Sequence, residues 1–523
     1  MDSILRDNSR LAHGNPALFI TAAEAYPALE RAFLTAETEI VASFLVFDPD
    51  TRLRSPEGLA VGQRWFDLIV HCLRRGVRIT ITLSDFDPVA RAEMHRGTWR
   101  SLRMLLAAAE VAGPDAQLSA TAARHPAQTG WVPRLLISPM IMLRIWRTSA
   151  WLNRLPATKR AAALRDMPGV GALMVPGDNG RVRPRLWPVP RLFPGTHHQK
   201  IAVFDRKRLY VGGLDLNERR YDDQDHQRPA DQTWHDVQLL LEGSVAADAV
   251  RHLESFHAVT AGNIPPVQTG NLLVTLSRKR HGLGWRFGPL PLVHDLLDAH
   301  LEAIARASGL IYLESQYFSD HRLTHALCRA AAEKPDLALI LILPGAPEEM
   351  AFDGRDGLDS QMGEWLQARC LRRLKRAFGK RLFIGGAAQR KRARSRRNDG
   401  RDQLAKAPLI YIHAKVSVFD HAAIVSSANL NGRSMRWDTE AGVRLADLSV
   451  VADVQRRCMA HWLPDGADSR FFAADSAVSA WRGLALSNAA RKPEDRQGFI
   501  VPYDLRAAEK FGTPVPFLPA ELV

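Results

Sequence analysis

Cysteine is scarce in this chain of 523 residues, and its four cysteines include no C-x-x-C pair. Such scarcity argues against a secreted fold held by disulfides and favours buried thiols in a reducing compartment. No group of histidine, cysteine and acidic residues has the spacing that is typical of metal ligands, so we expect neither a metal nor another cofactor. The cysteines are Cys72, Cys328, Cys370 and Cys458.

Long apolar runs are missing as well. No uninterrupted apolar stretch approaches the length that spans a bilayer. The first residues also lack the basic start and apolar stretch of a secretory signal. We therefore expect a cytoplasmic protein that attaches to a membrane peripherally if it attaches at all.

Acidic residues are too few to balance the basic ones. The chain has 70 Lys and Arg against 56 Asp and Glu, which gives a formal net charge of +14. This charge favours polyanionic partners, either nucleic acid or an anionic membrane surface, and composition alone does not choose between them.

What the chain does contain is one short pattern that occurs twice. The pattern H-x-K-x4-D runs from His198 to Asp205 and again from His413 to Asp420. A single match is a weak signal in a long chain. Two matches, each in an apolar run followed by small residues, favour an enzyme that divides one catalytic task between two halves.

The strand period gives the pattern a geometry. Residues i and i+2 of a strand point to the same side, so His198 lies beside Lys200 and His413 beside Lys415. Two such strands together would suit a phosphodiester: the lysines neutralise its oxygens, one imidazole attacks phosphorus, and the other protonates the leaving oxygen. The alternative, two unrelated strand histidines, explains a single copy better than a duplicated one.

Helices and strands alternate in two copies of one plan, which predicts an α/β fold. We expect two similar α/β halves, each a mixed β-sheet flanked by helices, packed with pseudo-two-fold symmetry around a shared active site. Predicted helices are Ala22–Ala36, Gly62–Arg75, Val293–Ala307 and His321–Lys334. Predicted strands are Glu39–Phe47, Val77–Leu83, Arg185–Arg191, Leu310–Phe318, Leu337–Leu343 and Arg381–Gly386.

A Pro- and Gly-rich passage at 260–270 separates the two predicted domains, 1–262 and 270–523. The first carries an insertion at 131–165, rich in Leu, Ile, Met and Trp with interspersed Arg, and Pro139 interrupts it. That insertion is an interfacial amphipathic element, a lid or ordinary core. The second carries a basic insertion at 389–401, which is either a solvated loop or a site for acidic lipid headgroups. The tail after about Pro464 is expected to be loop-rich.

With its duplicated motif, the chain resembles the phospholipase D superfamily over roughly residues 20–465. Within the superfamily it is most similar to the eukaryotic-type, phosphatidylcholine-hydrolysing phospholipases D. Beyond the two motifs, the stretches that carry the resemblance are 211–216, Arg220–Asp222, Thr233–Val237, Ile311–Phe318, Ser426–Asn431 and Asp438–Glu440.

The resemblance implies a role for each motif residue. His198 would be the nucleophile that forms a phosphohistidine, and His413 the acid that protonates the departing alcohol and then the base that activates the acceptor. Lys200 and Lys415 would hold the phosphoryl oxygens, with help from Asn429.

Asp236 and Glu440 match the acidic positions that orient the histidines through their other ring nitrogens. Asp215 occupies the counterpart of the Asn429 position, and Asp205 and Asp420 are favoured as structural.

Small residues follow each motif: Gly212 and Gly213 in the first half, Ser426 and Ser427 in the second, where Gly-Ser is usual. The second motif is also one residue shorter between Asp420 and its small pair, which leaves the placement of Asn429 open. Glu314, Gln316 and Phe318 share one face of a predicted strand and are candidates for substrate contact, although a purely structural strand is the alternative.

The expected function is hydrolysis of a glycerophospholipid, phosphatidylcholine or similar, to phosphatidate and a free headgroup alcohol, with transphosphatidylation through the same phosphohistidine. Alternatives are a cardiolipin-synthase-like phosphatidyltransferase, a nuclease-type phosphodiesterase and a non-catalytic lipid-binding protein. We expect a monomer whose partners are the phospholipid substrate and an anionic membrane surface. Nucleic acid is not expected, because no aromatic-interleaved basic groove is evident.

Overall fold

The computed structural model describes residues 16–185, 187–280, 282, 284–353, 357–393, 401–515 and 518–522. The helices of these ranges are α1 Thr21–Leu34, α2 Pro56–Leu59, α3 Trp65–Arg74, α4 Ala92–Ala112, α5 Trp131–Leu136, α6 Ser138–Arg154, α7 Ala157–Arg165, α8 Pro168–Gly171, α9 Ser244–Thr260, α10 Asp295–Arg306, α11 His321–Glu333, α12 Leu358–Phe378, α13 Gly432–Arg436, α14 Leu448–Trp462, α15 Ala477–Ala490 and α16 Leu505–Phe511.

The strands of the same ranges are β1 Ala17–Ile20, β2 Glu39–Phe44, β3 Arg78–Ser84, β4 Leu118–Ala123, β5 Met174–Pro176, β6 Val182–Pro184, β7 Ile201–Phe204, β8 Arg208–Gly212, β9 Val237–Glu242, β10 Leu272–Arg278, β11 Leu290–His294, β12 Leu310–Glu314, β13 Ala338–Ile342, β14 Leu382–Ala387, β15 Gln403–Leu404, β16 Ala407–Pro408, β17 Val416–Phe419, β18 Ala422–Ser426, β19 Glu440–Leu445 and β20 Ile500–Pro502.

Two large mixed sheets organise the chain. The first has the strand order β1-β9-β8-β7-β2-β3-β4, and the second has β11-β10-β19-β18-β17-β12-β13-β14-β20. Strands β2, β3 and β4 run parallel, as do β12, β13 and β14, whereas the motif strands β7 and β17 pair antiparallel to β2 and β12. Six strands thus repeat in the same order in both sheets. These sheets, flanked by helices, confirm the predicted α/β class.

The strand order does not by itself show whether the two halves are separate domains. The strands of the first sheet all precede the 260–270 passage and those of the second all follow it. One buried cluster nevertheless contains side chains of both sheets, among them Val211, Leu239, Val425 and Val443. The division into two domains and the pseudo-two-fold axis stay predictions.

Two sequence-based expectations were wrong. Arg185 and residues 187–191 form no strand, and β4 occupies the place after β3 that such a strand would need. Pro188 and Pro190 lack the amide hydrogen that a ladder requires, which explains the error. The tail is also more regular than expected: α15 packs on β14 and β20, and β20 pairs with β14 at the sheet edge.

The insertion at 131–165 forms three helices, α5 to α7. Pro139 stands in the first turn of α6, where its missing amide costs no hydrogen bond, so it begins the helix rather than interrupting it. Ile141, Ile145 and Leu152 of α6 are buried in a small core of their own. Of the basic insertion at 389–401, residues 394–400 lie outside the described ranges. No helix in the described ranges is both long and apolar enough to span a bilayer.

Candidate active site

Each H-x-K pair directly precedes a central strand of its sheet. Strand β7 pairs with β2 on one side and β8 on the other, and β17 pairs with β12 and β18. The alternating residues Ile201 and Val203, and Val416 and Val418, are all buried in one cluster. The other faces of β7 and β17 are buried as well, and the preceding histidine and lysine lie at the end of each strand.

The two motif histidines are each held by the other half of the chain. His198 Nδ1 lies 3.0 Å from a carboxylate oxygen of Glu440 in β19, and the His198 amide donates to the Thr439 carbonyl. His413 Nδ1 lies 2.6 Å from Asp236 Oδ2, and its amide donates to the carbonyl of His235, 2.8 Å away. In both cases Nδ1 is occupied by a carboxylate, which leaves Nε2 for chemistry.

Burial sets the protonation of these pairs. It lowers the pKa of His198 and of His413 well below the usual range, and the neighbouring lysines lower both further. Burial also raises the pKa of Asp236 to about 6 and that of Glu440 to about 7. All four shifts have the same origin, since a dry site disfavours the charged form of either partner. Neutral imidazoles with Nδ1–H donated to the carboxylates follow from this balance.

The motif lysines are buried beside the histidines. Lys200 Nζ donates to the His198 carbonyl at 2.6 Å and lies 3.7 Å from Asp215 Oδ2, and Lys415 Nζ donates to the His413 carbonyl. Burial lowers the pKa of Lys200, and it lowers the pKa of Lys415 to about 7. Two buried lysine side chains beside the two histidines form a site that is suited to an incoming anion.

The glycine pair after the first motif is explained by close packing. A Cβ on Gly213 would stand 2.1 Å from Asp236 Oδ1 and 3.0 Å from Lys415 Cδ, and one on Gly212 would stand 2.4 Å from the Val237 carbonyl. Only glycine lets strand β8 approach this closely. The Gly213 contact also shows that Lys415 of the second half reaches the first half's carboxylate.

The shorter second hairpin does not displace Asn429. Three residues separate the last pair Phe204–Arg208 of β7 and β8, and two separate Phe419–Ala422 of β17 and β18. The second hairpin is one residue shorter only in its turn. Ile201, three residues after His198, pairs with Val211, and Val416, three residues after His413, pairs with Val425. Asn429 therefore occupies the counterpart of the Asp215 position.

These two counterparts have different surroundings. Asp215 accepts from the Val46 amide at 2.8 Å and is paired with Arg220 and Lys200. Asn429 Nδ2 donates to Gln316 Oε1 at 3.2 Å, and its own Oδ1 is buried without a partner. The second Nδ2 hydrogen of Asn429 is thus the one that can be donated to a ligand oxygen, whereas the Asp215 carboxylate is engaged by cations.

The aspartates that end the motifs lie away from the histidines. Asp205 accepts from the amides of Glu37, Thr38 and Glu39 ahead of β2, and Asp420 accepts from the amides of Ser308 and Gly309 ahead of β12. Each ties the end of its motif strand to the neighbouring strand of the sheet. This placement suits the structural role favoured from the sequence.

The three candidates for substrate contact are separated by the structure. Strand β12 ends at Glu314, four residues earlier than predicted, because Ser315 to Tyr317 leave the ladder. Glu314 is fully buried and bonded to His235, Tyr312 and Trp462, and Phe318 is fully buried among the apolar residues behind β12. Only Gln316, through Asn429, adjoins the motif residues.

Two groups beside the motifs were given no role from the sequence. Arg220 pairs with Asp215, and its guanidinium lies 5.0 Å from the ring centre of Trp234. The Trp234 ring in turn lies 4.5 Å from that of His413. Both belong to stretches that carry the family resemblance, which was the available signal. They brace the second histidine and add a buried cation to the site.

Comparisons with known proteins show which proteins the chain is similar to. A family model described as "Cardiolipin synthase, PLD-like domain" matches residues 300–462. Phospholipase D alpha 1 of Oryza sativa subsp. japonica is 24% identical over 46% of this chain and 44% of its own length. Phospholipase D2 of Bos taurus is 25% identical over 41% of this chain and 27% of its own. The chain matches less than half the length of these curated relatives.

Among solved structures, phosphatidylserine synthase of Haemophilus influenzae is similar over 91% of this chain and 94% of its own, with 12% identity and a TM-score of 0.45. Polyphosphate kinase of Porphyromonas gingivalis is similar over 84% of this chain and 46% of its own, with 10% identity and a TM-score of 0.41. The family model over residues 300–462 and the curated relatives of low identity support the resemblance of the chain to the phospholipase D superfamily.

Proposed function

We propose that the protein transfers a phosphatidyl group from a glycerophospholipid to water or to an alcohol, as a phospholipase D. One observation carries the proposal: each motif histidine is held at Nδ1 by a carboxylate of the other half, beside a buried motif lysine. Such a pair of histidines can supply a nucleophile and an acid to one phosphodiester, and the lysines neutralise the charge on its oxygens.

His198 is the nucleophile in this proposal and His413 the acid and base. The His198 side chain is 15% exposed and that of His413 is 4% exposed, so an entering phosphodiester meets His198 first. The shorter contact of His413, 2.6 Å to Asp236, suits the group that must carry positive charge. The bound phosphodiester contributes its own negative charge, which favours the imidazolium of His413 despite its burial.

Two displacements complete the reaction. In the first, His198 Nε2 bonds to phosphorus, the bond from phosphorus to the headgroup oxygen breaks, and His413 Nε2 gives that oxygen its proton. In the second, water or an alcohol loses its proton to His413, its oxygen bonds to phosphorus, and the phosphorus–nitrogen bond breaks to restore His198. Lys200, Lys415 and Asn429 hold the non-bridging oxygens during both steps.

A second candidate function has its own support. The description of the matching family model names cardiolipin synthase. In a proposal of that kind, a second lipid would accept the phosphatidyl group. The chemistry at the histidines is unchanged, and only the acceptor differs. Nuclease-type cleavage uses the same groups but finds no further support among the described residues.

An acceptor assay tests the proposal. The purified protein is incubated, without added metal, with phosphatidylcholine, phosphatidylglycerol and cardiolipin, each with and without a short primary alcohol. Phosphatidyl-alcohol as product, in competition with phosphatidate, is the expected result. Cardiolipin formed from phosphatidylglycerol would favour the second candidate. Cleavage of DNA or RNA with no phospholipid product would contradict both.

The pH dependence of kcat/KM is expected to be bell-shaped with its maximum near pH 7. The ammonium of Lys415, with its pKa of about 7, is lost as the pH rises, and the carboxylate of Glu440, also about 7, is lost as the pH falls. The two groups lie in one site, so the limbs belong to the coupled set. In a Lys415→Arg variant the guanidinium stays charged, so the alkaline limb should move upward. A flat wild-type profile from about pH 6 to 9, or an unmoved limb in the variant, would contradict this assignment.

A membrane partner is part of the same proposal. The insertion at 131–165, and its helix α6 above all, provides the evidence. Seven of the fifteen large apolar side chains that are exposed in the described ranges lie between Trp131 and Trp151. Leu136 is 72% exposed and Trp146 is 61% exposed. Met140, Leu143 and Trp146 lie on the face of α6 opposite its buried Ile141, Ile145 and Leu152.

The charge of the 131–165 insertion indicates which kind of surface the outer face of α6 binds. Residues 131–165 contain no Asp or Glu, and Arg147 and Arg154 are exposed on the same side of α6 as Leu143. Apolar side chains flanked by cations match an anionic bilayer. The apolar side chains would insert into its acyl region, and the cations would bind its anionic headgroups. The occupant that we propose is therefore an anionic phospholipid surface.

Vesicle binding tests the α6 face. A Leu143→Ser, Trp146→Ser double variant is expected to bind phosphatidylglycerol-containing vesicles at least about 10-fold more weakly, because it loses two inserted apolar side chains. Turnover of a soluble short-chain ester should stay unchanged. Leu448→Ser with Leu486→Ser, which removes two similarly exposed leucines elsewhere, is the matched control. Equal losses in both double variants, or self-association that the first one abolishes, would contradict a lipid partner.

A further inference from the structure

Three histidines from distant parts of the sequence meet beside the candidate active site. His226 lies in the loop ahead of β9, His235 lies two residues before β9, and His461 lies in the last turn of α14. One ring nitrogen of each lies within 4.8 Å of those of the other two. His226 Nε2 and His461 Nε2 are 2.9 Å apart. His226 and His235 are fully buried.

Carboxylates fix two of these rings from behind. Asp222 Oδ2 lies 2.7 Å from His226 Nδ1, and Glu314 Oε2 lies 2.7 Å from His235 Nε2. A carboxylate that accepts one ring N–H leaves a lone pair on the opposite nitrogen and fixes the tautomer. His226 Nε2, which contacts His461 Nε2, and His235 Nδ1 are thereby the ring nitrogens that hold no carboxylate.

One of these nitrogens has no partner within the protein. His235 Nδ1 is buried and makes no hydrogen bond, although its ring is held at Nε2. Buried polar atoms are nearly always satisfied, so an unsatisfied one on a ring whose centre lies 4.7 Å from that of His461 points to a bound group.

We propose that His226, His235 and His461 bind a divalent transition-metal ion of the zinc class. Three neutral imidazoles are a typical donor set for zinc, with a water molecule in the fourth position. The carboxylates of Asp222 and Glu314 would stand behind two of the three ligands and balance the charge of the ion. Hard cations such as Ca²⁺ and Mg²⁺ are excluded, since they require oxygen donors.

The site would join the two halves of the chain at the catalytic histidines. His226 and His235 belong to the first half and His461 to the second. His235 directly precedes Asp236, which holds His413, and the His235 carbonyl accepts from the His413 amide. A metal bound there makes these three histidines positioning residues for the acid–base pair and contributes to folding stability.

Spacing in the sequence could not reveal this cluster. His226 and His235 are nine positions apart, and His461 follows more than two hundred residues later. The expectation that no metal is bound rested on such spacing alone. The motif resemblance also left His226 and His461 without any role.

Metal content of protein purified without a histidine tag tests the proposal. We expect about one zinc ion per chain, and a chelator should lower the Tm in a way that Zn²⁺ reverses and Mg²⁺ does not. Cobalt substitution should give the visible absorption of a tetrahedral site. These readouts do not depend on the phosphodiesterase activity, so the two proposals can fail separately.

Variants at His461 separate a metal site from a hydrogen-bonded cluster. His461→Gln keeps a donor for His226 Nε2 but removes the imidazole, so it should lose the metal and the chelator-sensitive part of the Tm. His461→Cys supplies a thiolate and should retain the metal. His300→Gln, which changes a buried histidine bonded to the Leu296 carbonyl and Ser417, is the matched control and should keep the wild-type metal content.

Two results would overturn the proposal. One is wild-type protein that contains no transition metal and takes up no added Zn²⁺. The other is a His461→Gln variant that binds zinc as well as the wild type does.

Discussion

Replacement of His198 by alanine is expected to lower kcat by at least about 10⁴-fold, because no covalent intermediate can then form. His198 is the more exposed of the two histidines, and its Nδ1 is engaged by Glu440, which leaves Nε2 as the nucleophilic nitrogen of this ring. The loss should be the same for substrates with good and poor leaving groups. Turnover of a short-chain phospholipid, followed by headgroup release, measures it.

His413→Ala provides the matched comparison. It removes an acid and base but leaves the nucleophile, so the loss on a natural headgroup should be about 10²- to 10⁴-fold. A substrate with a p-nitrophenol leaving group needs no proton for the first displacement and should recover that step alone. Equal activity of the two alanine variants on every substrate would contradict the separate roles.

Loss of either orienting carboxylate should be nearly as damaging. Glu440→Gln and Asp236→Asn keep the shape of the side chain but remove the charge that fixes the tautomer and stabilises the imidazolium, so kcat should fall about 10³- to 10⁴-fold. Both carboxylates are fully buried and bonded to a motif histidine at 3.0 Å and 2.6 Å. Steady-state kinetics at pH 7 with circular dichroism to check folding is the measurement.

Asp420→Asn is the control for this pair. Asp420 belongs to the second motif but bonds to Ser308 and Gly309 rather than to a histidine. Its replacement should lower the Tm by a few degrees and leave kcat within about twofold. A Glu440→Gln variant that behaves in the same way would show that its carboxylate is structural too.

The parts that the sequence predicted well rest on local patterns. A short apolar run such as Ile201–Phe204 predicts a buried strand, and the duplicated motif then places a histidine and a lysine at its end. The bounds of α1, α11 and β14 lie within one or two residues of the expected ones. The family resemblance implied only that Asp236 and Glu440 orient the histidines. The pairing of Glu440 with His198 and of Asp236 with His413 is seen only in the structure, because no local pattern encodes it.

What the sequence did not predict depends on long-range packing. β20 has three residues and forms only because β14 leaves a free edge beside it. The aspartate–histidine and glutamate–histidine pairs around His226 and His235 join four segments of the chain. Glu314 was assigned to substrate contact from strand alternation, and its buried partner His235 could not be seen from that pattern.

A single-turnover measurement with His413→Ala tests the central claim most directly. The variant is mixed with a short-chain phosphatidyl ester of p-nitrophenol, and both the released phenol and the mass of the protein are followed. The account predicts a burst of about one phenol per chain, then a stop, with an acid-labile phosphatidyl group on the peptide that contains His198. His198→Ala should give no burst. Continuous turnover without an adduct, or an adduct on another residue, would contradict the account.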